Sequence, residues 1–185
     1  AHKILMKGVR GMSKMPGELR TSQNWIGGAT LKDAKFVPPH HSLVPELMSD
    51  LEKFLNNSEI RVPHLIRIGM AHYQFESIHP FLDGNGRMGR LLITLYLVSQ
   101  KVLNRPTLYL SDFIEKNRSQ YYDNLTAVSE KHDMVQWLRF FLVGIVETAN
   151  TAIDTFHKIL ALRDKIEKKK IMKMGRRIPN AQALL

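Results

Sequence analysis

The sequence specifies an all-α domain, a bundle of helices carrying one small β-hairpin. Three observations lead there. After residue 44 apolar residues recur at spacings of three and four through most of the chain, the period of helices with one buried face. An earlier stretch, 19–37, lacks that period and carries Gly27-Gly28 in its middle, between short runs rich in Thr, Trp, Ile, Phe and Val. That is the composition of two short strands about a turn. Hydrophobic residues make up 44% of the 185, enough for a core in one domain.

The elements follow in order. Residues 1–12 read as the end of a helix, and Pro16-Gly17 as a turn. The hairpin over 19–37 is closed by Pro38-Pro39. Pro45 suits a first helical turn, and Leu47, Met48, Leu51, Phe54 and Leu55 then mark one helical face. A second helix runs from about Pro63 to about Ile78. A third, about Gly86 to Lys101, is apolar nearly all round and is expected to be the buried central helix. A fourth follows Ser111 as its N-cap and carries Tyr121, Tyr122 and Leu125. A long last helix runs from about Met134, through Trp137, Phe140 and Phe141, into a basic tail.

Composition excludes several classes. There are no cysteines, hence no disulfides and no thiolate metal site, in keeping with a reducing cytosol. No apolar run approaches the roughly 18–20 residues of a membrane span. A cytoplasmic protein without a membrane partner is expected. The net charge of +10 is uneven, since residues 158–177 hold nine Lys or Arg against Asp164 and Glu167. Basic character belongs to the tail, which reads as a solvated helical extension or as a connector to a nucleic-acid-binding module. The chain opens within an amphipathic stretch and closes on an apolar note, so a fragment cut at both ends is expected.

The chemistry concentrates in residues 79–90, His-Pro-Phe-Leu-Asp-Gly-Asn-Gly-Arg-Met-Gly-Arg. A residue before proline is pushed out of helical geometry, so a helix ends at His79-Pro80. Gly84, Gly86 and Gly89 bracket the start of the next helix, where backbone N–H groups can converge on an anion with the helix dipole behind them. Arg87 and Arg90 lie three apart and share a face. Two guanidiniums beside such a nest suit more than one phosphate. Asp83 makes sense as a carboxylate for Mg²⁺, which ATP brings with it. His79 is the one side chain of the segment that can act as a base near neutral pH. Together they make a phosphoryl-type transfer site. The bland alternative is a glycine-rich turn with incidental charges.

The segment resembles the Fic-family signature: His-Pro-Phe, any residue, Asp or Glu, Gly-Asn-Gly-Arg, two residues, Arg. Every specified position matches. The resemblance covers about residues 1–160. It includes the stretch from Arg20 to Gly28, the approach from Ala71 to Ile78, Leu108 to Ser111, and Tyr121-Tyr122. It implies a Fic-fold helical bundle over 1–160 with a flap at about 19–37, and a basic helical connector over 161–185. It implies a protein adenylyltransferase that moves AMP from ATP to a Ser, Thr or Tyr hydroxyl, with Mg²⁺, releasing pyrophosphate. On that reading His79 is the general base, Asp83 holds Mg²⁺, and Gly84, Asn85 and Gly86 form the anion hole. Arg87 and Arg90 bind phosphates, Phe81 packs under the loop, and Tyr109 and Tyr122 line the adenine pocket. The flap aligns the target protein by strand pairing. Kinase-like relatives carry lysine at the position of Gly86, so glycine favours AMP transfer.

The same resemblance frames the partners. Relatives carry an inhibitory helix, Ser or Thr, three residues, Glu, then Gly or Asn. Neither Ser42–Glu46 nor Ser111–Glu115 has the required follower. The brake is expected from a region upstream of Ala1 or from a separate antitoxin-like protein, leaving Arg90 free of it. A homodimer is compatible with the family. Bacterial relatives continue into a winged helix, which Ile178–Leu185 resembles at its start, so DNA is a partner only through a further C-terminal module. The runner-up function is a nucleotide-binding regulator acting through that module. A metal triad of His72, Glu76 and His79, spaced four and three apart, is the competing site, though Pro80 bends His79 off that face. His2, His64, His132 and His157 carry no signal of their own.

Overall fold

A computed structural model describes residues 1–8, 14–169 and 172. Its helices are α1 (His2–Leu5), α2 (Val44–Asn56), α3 (His64–Ile78), α4 (Asn85–Ser99), α5 (Ser111–Lys116), α6 (Arg118–Lys131) and α7 (Met134–Lys169). Two short 3₁₀ turns, Leu31–Asp33 and His41–Leu43, lie between α1 and α2. Among the described residues no helix is long and apolar enough to cross a membrane.

The hub is α3, not α4 as the apolar run of α4 suggested. It packs against α2, α4 and α7. It buries Ile68, Ala71, Phe75 and Ile78 together with the polar Arg67, His72 and Glu76. The sequence hid this because α3 buries charged and polar side chains as well as apolar ones, which blurs the stripe that periodicity detects. By contrast, Leu95 of α4 faces out. The first part of α7 closes the core with Trp137, Phe141 and Ile145. Each such side chain contributes about 1.5–3 kcal/mol of transfer free energy. The Trp137 indole donates to the Gly69 carbonyl at 2.9 Å, which satisfies its one donor inside the core.

Three other expectations change. The stretch 19–37 is not a ladder: it pairs at a single antiparallel bridge, Ile26 with Phe36. Gly27 and Gly28 take left-handed φ of 73° and 75°, and the 3₁₀ turn Leu31–Asp33 follows. The connection is too long and too coiled for strands to extend from it. The expected fourth helix is two, because Asn117 (φ −111°, ψ 33°) breaks the run between α5 and α6. Ser111 does not cap α5. It is the helix's first residue, Leu110 stands at the cap without a side-chain bond, and the Ser111 hydroxyl is used elsewhere.

The last helix continues unbroken past residue 160, exposing Ile153, Phe156, Ile159, Leu160 and Leu162. Residues 9–12 of the expected first helix and the segment Ile178–Leu185 lie outside the described residues.

Candidate active site

The loop between α3 and α4 is built by a left-handed exit and a left-handed entry. His79 caps α3 at φ 50°, ψ 59°, and its N–H still donates to the Phe75 carbonyl at 3.0 Å. A non-glycine residue in this region is uncommon and costs energy. Pro80 enforces the exit, since it forbids His79 the helical conformation. The turn carries the imidazole away from His72 and Glu76. Accordingly, no group of three candidate metal ligands forms among the described residues. At the far end Gly84 takes φ 84°, ψ 7° and caps α4 without a side-chain hydrogen bond. A Cβ there would sit 2.6 Å from Met6 Sδ, so only glycine fits.

The helix N-terminus is thus capped by a residue with no side chain, the arrangement that leaves first-turn N–H groups available to an anion. Asn85 shapes the loop with its side chain. Its Oδ1 accepts from Phe81 N–H at 2.8 Å and its Nδ2 donates to the Phe81 carbonyl at 2.7 Å. What Asn85 can offer an anion is therefore its backbone. Phe81 is buried and anchors the loop against Phe75 and His2.

Buried under this loop is a residue to which sequence reasoning gave no role. Arg20 is 2% exposed. It donates to the carbonyls of His79 (2.9 Å), Pro39 (2.5 Å), Ile78 (3.2 Å) and Ser22 (3.2 Å). Its own N–H donates to Pro80 O at 2.8 Å. The guanidinium satisfies the carbonyls that α3 leaves open at its C-terminus. It also ties the 19–37 segment to the loop, a tie that Asn24 repeats through Phe81 O at 3.2 Å. Nothing local marks Arg20 in the sequence, because the two partners it holds at the end of α3 lie 58 and 59 residues away.

His79 Nδ1 lies 3.3 Å from the Glu76 carbonyl. With Nδ1–H donating there, Nε2 carries the lone pair. Burial, seconded by the Arg20 charge, pushes the His79 pKa down to about 4 against the bond to Glu76 and the charge of Asp83. The imidazole is neutral and ready to accept a proton at neutral pH. Asp83 lies at the mouth, its side chain 40% exposed. Its Oδ1 accepts from Gly84 N–H at 2.6 Å and is 3.9 Å from Arg87 Nη2. One accessible carboxylate beside a phosphate site fits Mg²⁺, which takes few protein ligands and fills its octahedron with phosphate oxygens and water.

Arg90 Nε donates to Ser111 Oγ at 3.1 Å, which is where the serine hydroxyl goes. Among the described residues no carboxylate lies within ion-pair distance of Arg90. A Cβ at position 86 would lie 3.2 Å from Arg90 Nη1, so Gly86 leaves room for the guanidinium.

Behind the loop lies a buried polar cluster. His72 Nε2 and the Tyr121 hydroxyl are 3.0 Å apart. Glu76 Oε1 and His72 Nδ1 are buried without a partner. A Cβ at Gly89 would collide with Glu76 Oε1. Burial raises the Glu76 pKa to about 7 against the nearby Arg90 charge, and burial likewise lowers His72 to about 4. Tyr122 packs edge-on to Tyr121 at 5.4 Å. Tyr109 is 67% exposed and lines an open cleft of about 330 Å³ between α5 and α7, with Phe113 and Phe156, to which no residue of 79–90 contributes.

A helical bundle that hangs a His-to-Arg loop between two core helices is a recognisable architecture, and comparison with known proteins identifies it. Residues 1–97 match the Fic/DOC family, and the chain belongs to it. The chain is 36% identical over 126 residues to the protein adenylyltransferase Fic of Aedes aegypti, and likewise to that of Culex quinquefasciatus. Each alignment covers 67% of this chain but 22% of the relative, so the chain spans a minor part of those proteins. A crystal structure of a Fic family protein from Desulfovibrio desulfuricans G20 superposes with a TM-score of 0.71. Its identity is 32%, over 84% of this chain and 46% of that one. Fic-1 from C. elegans shares the fold at TM-score 0.55 and 24% identity, over 77% of this chain and 38% of that one.

Proposed function

We propose that this chain transfers AMP from ATP to a Ser, Thr or Tyr hydroxyl of a target protein, releasing pyrophosphate. The observation that carries the reading is the pairing, in one loop, of a neutral, half-buried His79 with a helix N-terminus capped by glycine and flanked by Arg87 and Arg90. The family relatives named protein adenylyltransferases support it.

In this mechanism His79 Nε2 accepts the proton of the target hydroxyl. The hydroxyl oxygen attacks the α-phosphorus, and the bond to the bridging oxygen of the β-phosphate breaks. Charge developing on the phosphates is met by the backbone N–H groups of Asn85 and Gly86, that of Gly84 being engaged by Asp83 Oδ1 at 2.6 Å, and by the two arginines, with Arg90 toward the γ-phosphate. Asp83 would hold Mg²⁺, which supplies charge neutralisation along the phosphates. Arg20 keeps the carbonyl at His79 fixed, and with it the imidazole. Tyr122, packed on Tyr121, would stack on the adenine, and Tyr109 is the second candidate. The 19–37 segment, tied to the loop through Arg20 and Asn24, serves as the flap on which the target docks. Regulation falls to a helix from another region or another protein that reaches Arg90.

The test is incubation with labelled ATP and Mg²⁺, comparing wild type with His79→Ala. Label from the α-phosphate on protein, lost in the variant, is expected. Label that survives the substitution refutes the role of His79, and label from the γ-phosphate points to kinase chemistry instead.

A further inference from the structure

His2 carries no sequence signal, yet it is 4% exposed and sits directly on the loop. Its Nδ1 accepts from Gly17 N–H at 2.8 Å and its Nε2 lies 2.9 Å from the Asp83 carbonyl oxygen. A nitrogen that accepts from an amide N–H is unprotonated. The proton of the neutral ring is therefore on Nε2, which donates to Asp83. The ring also stacks on Phe81, centroids 3.8 Å apart and planes 10° from parallel. Met6, the C-cap of α1, is 1% exposed and abuts Gly84. One imidazole thus holds three things at once: the backbone of the carboxylate residue, the aromatic anchor of the loop, and the turn at Gly17.

We propose that His2 is a positioning residue of the transfer site, fixing through Asp83 and Phe81 the backbone that aims the Asp83 carboxylate and the first-turn amides of α4. The inference rests on the reading given under Proposed function, and it acts through residues of that site rather than on substrate. Its physical basis is that a transfer site made of backbone amides is only as well aimed as its backbone. The Asp83 carbonyl and carboxylate belong to one residue, so rotating the peptide moves the metal ligand and the neighbouring Gly84 amide together. Asn85 braces the loop from within, and His2 braces it from outside.

Three measurements test it. In wild-type protein the imidazole ¹⁵N shifts of His2 are expected to show a protonated Nε2 and a bare Nδ1. The opposite tautomer overturns the proposal, whether or not the chain transfers AMP. His2→Phe keeps the stack on Phe81 and loses both hydrogen bonds. It is expected to melt within a few degrees of wild type, to lower kcat for α-label transfer about tenfold or more, and to raise the Mg²⁺ concentration for half activity. His2→Gln can again donate to Asp83 and accept from Gly17, and is expected to recover a good part of that loss. A His2→Phe protein with wild-type kcat and Mg²⁺ dependence overturns the proposal. So does a loss in both variants that appears only as a lowered melting temperature. Absence of transfer by wild type defeats the proposed function instead. The tautomer then still tests the geometry, as does amide hydrogen exchange at Gly84–Arg87, expected to speed up about tenfold in His2→Phe. Unchanged exchange overturns the proposal.

Discussion

The Arg20 guanidinium donates to the His79 carbonyl at 2.9 Å, so a residue 59 positions upstream sets the backbone where α3 gives way to the loop. Ile78, His79 and Pro39 all direct carbonyls at this one buried cation. The site is thereby stiffened from below by a group that touches none of the proposed substrate.

Arg20→Ala is expected to lower the unfolding free energy by about 2–4 kcal/mol, because it strands several buried carbonyls at once. Arg20→Lys keeps the charge but loses the planar fork, and should fall between wild type and alanine. Chemical denaturation of the three proteins measures this. Equal midpoints for all three would show that the clamp contributes nothing.

The pH profile of kcat/KM reports the free enzyme's base. Burial holds His79 at about 4, below the ordinary value of 6.5. A base is active when deprotonated, so the rate should stay level on lowering pH through 6.5. It should fall only as pH approaches 4. Measured at saturating Mg²⁺, an acid limb centred near 6.5 would contradict the buried environment assigned to His79.

A side chain at position 86 would crowd Arg90 Nη1, 3.2 Å from the Cβ site. Gly86→Ala should raise KM for ATP by about three- to tenfold while leaving thermal stability close to wild type, since the guanidinium can move aside at the cost of its aim. Steady-state kinetics with varied ATP decide the point.

Glu76 gives the fold a pH dependence of known sign. Its pKa rises from 4.5 in the unfolded chain to about 7 in the fold, so the folded state binds the extra proton between those values. Its contribution is fully present below 4.5 and is lost as pH rises to about 7. His72 runs the other way. Lowered from 6.5 to about 4, it favours the fold above 6.5 and loses that contribution as pH falls toward 4. Glu76→Gln mimics the protonated carboxyl. Relative to wild type it should gain stability on going from pH 5 to pH 8, by up to about 3 kcal/mol. Parallel stability curves for the two proteins would place the carboxyl in water rather than in the core.

Much of this was legible in the residues alone. His79-Pro80, the glycines and the two arginines are local signals, because proline, glycine and helix spacing act over a few residues. The starts of α2, α3 and α7 were legible for the same reason. The single bridge at Ile26–Phe36 in place of a hairpin was not, since strand pairing depends on how the connecting turn is stretched. Nor was the split at Asn117, where a helix is broken without proline or glycine. Ser111 looked like a cap and became a partner of Arg90, since a hydroxyl bonds whichever donor tertiary packing brings.

By itself the sequence determined the helical class and the family, and it marked the candidate site, because those rest on short-range pattern. Only the tertiary structure decided which residues hold that site in place. It made α3 the hub, buried Arg20 under the loop and set His2 on Phe81. It also packed Glu76 against Gly89 and joined Arg90 to Ser111. These relations join residues far apart in the chain, and their energy comes from satisfying buried polar groups whose partners no local period reveals.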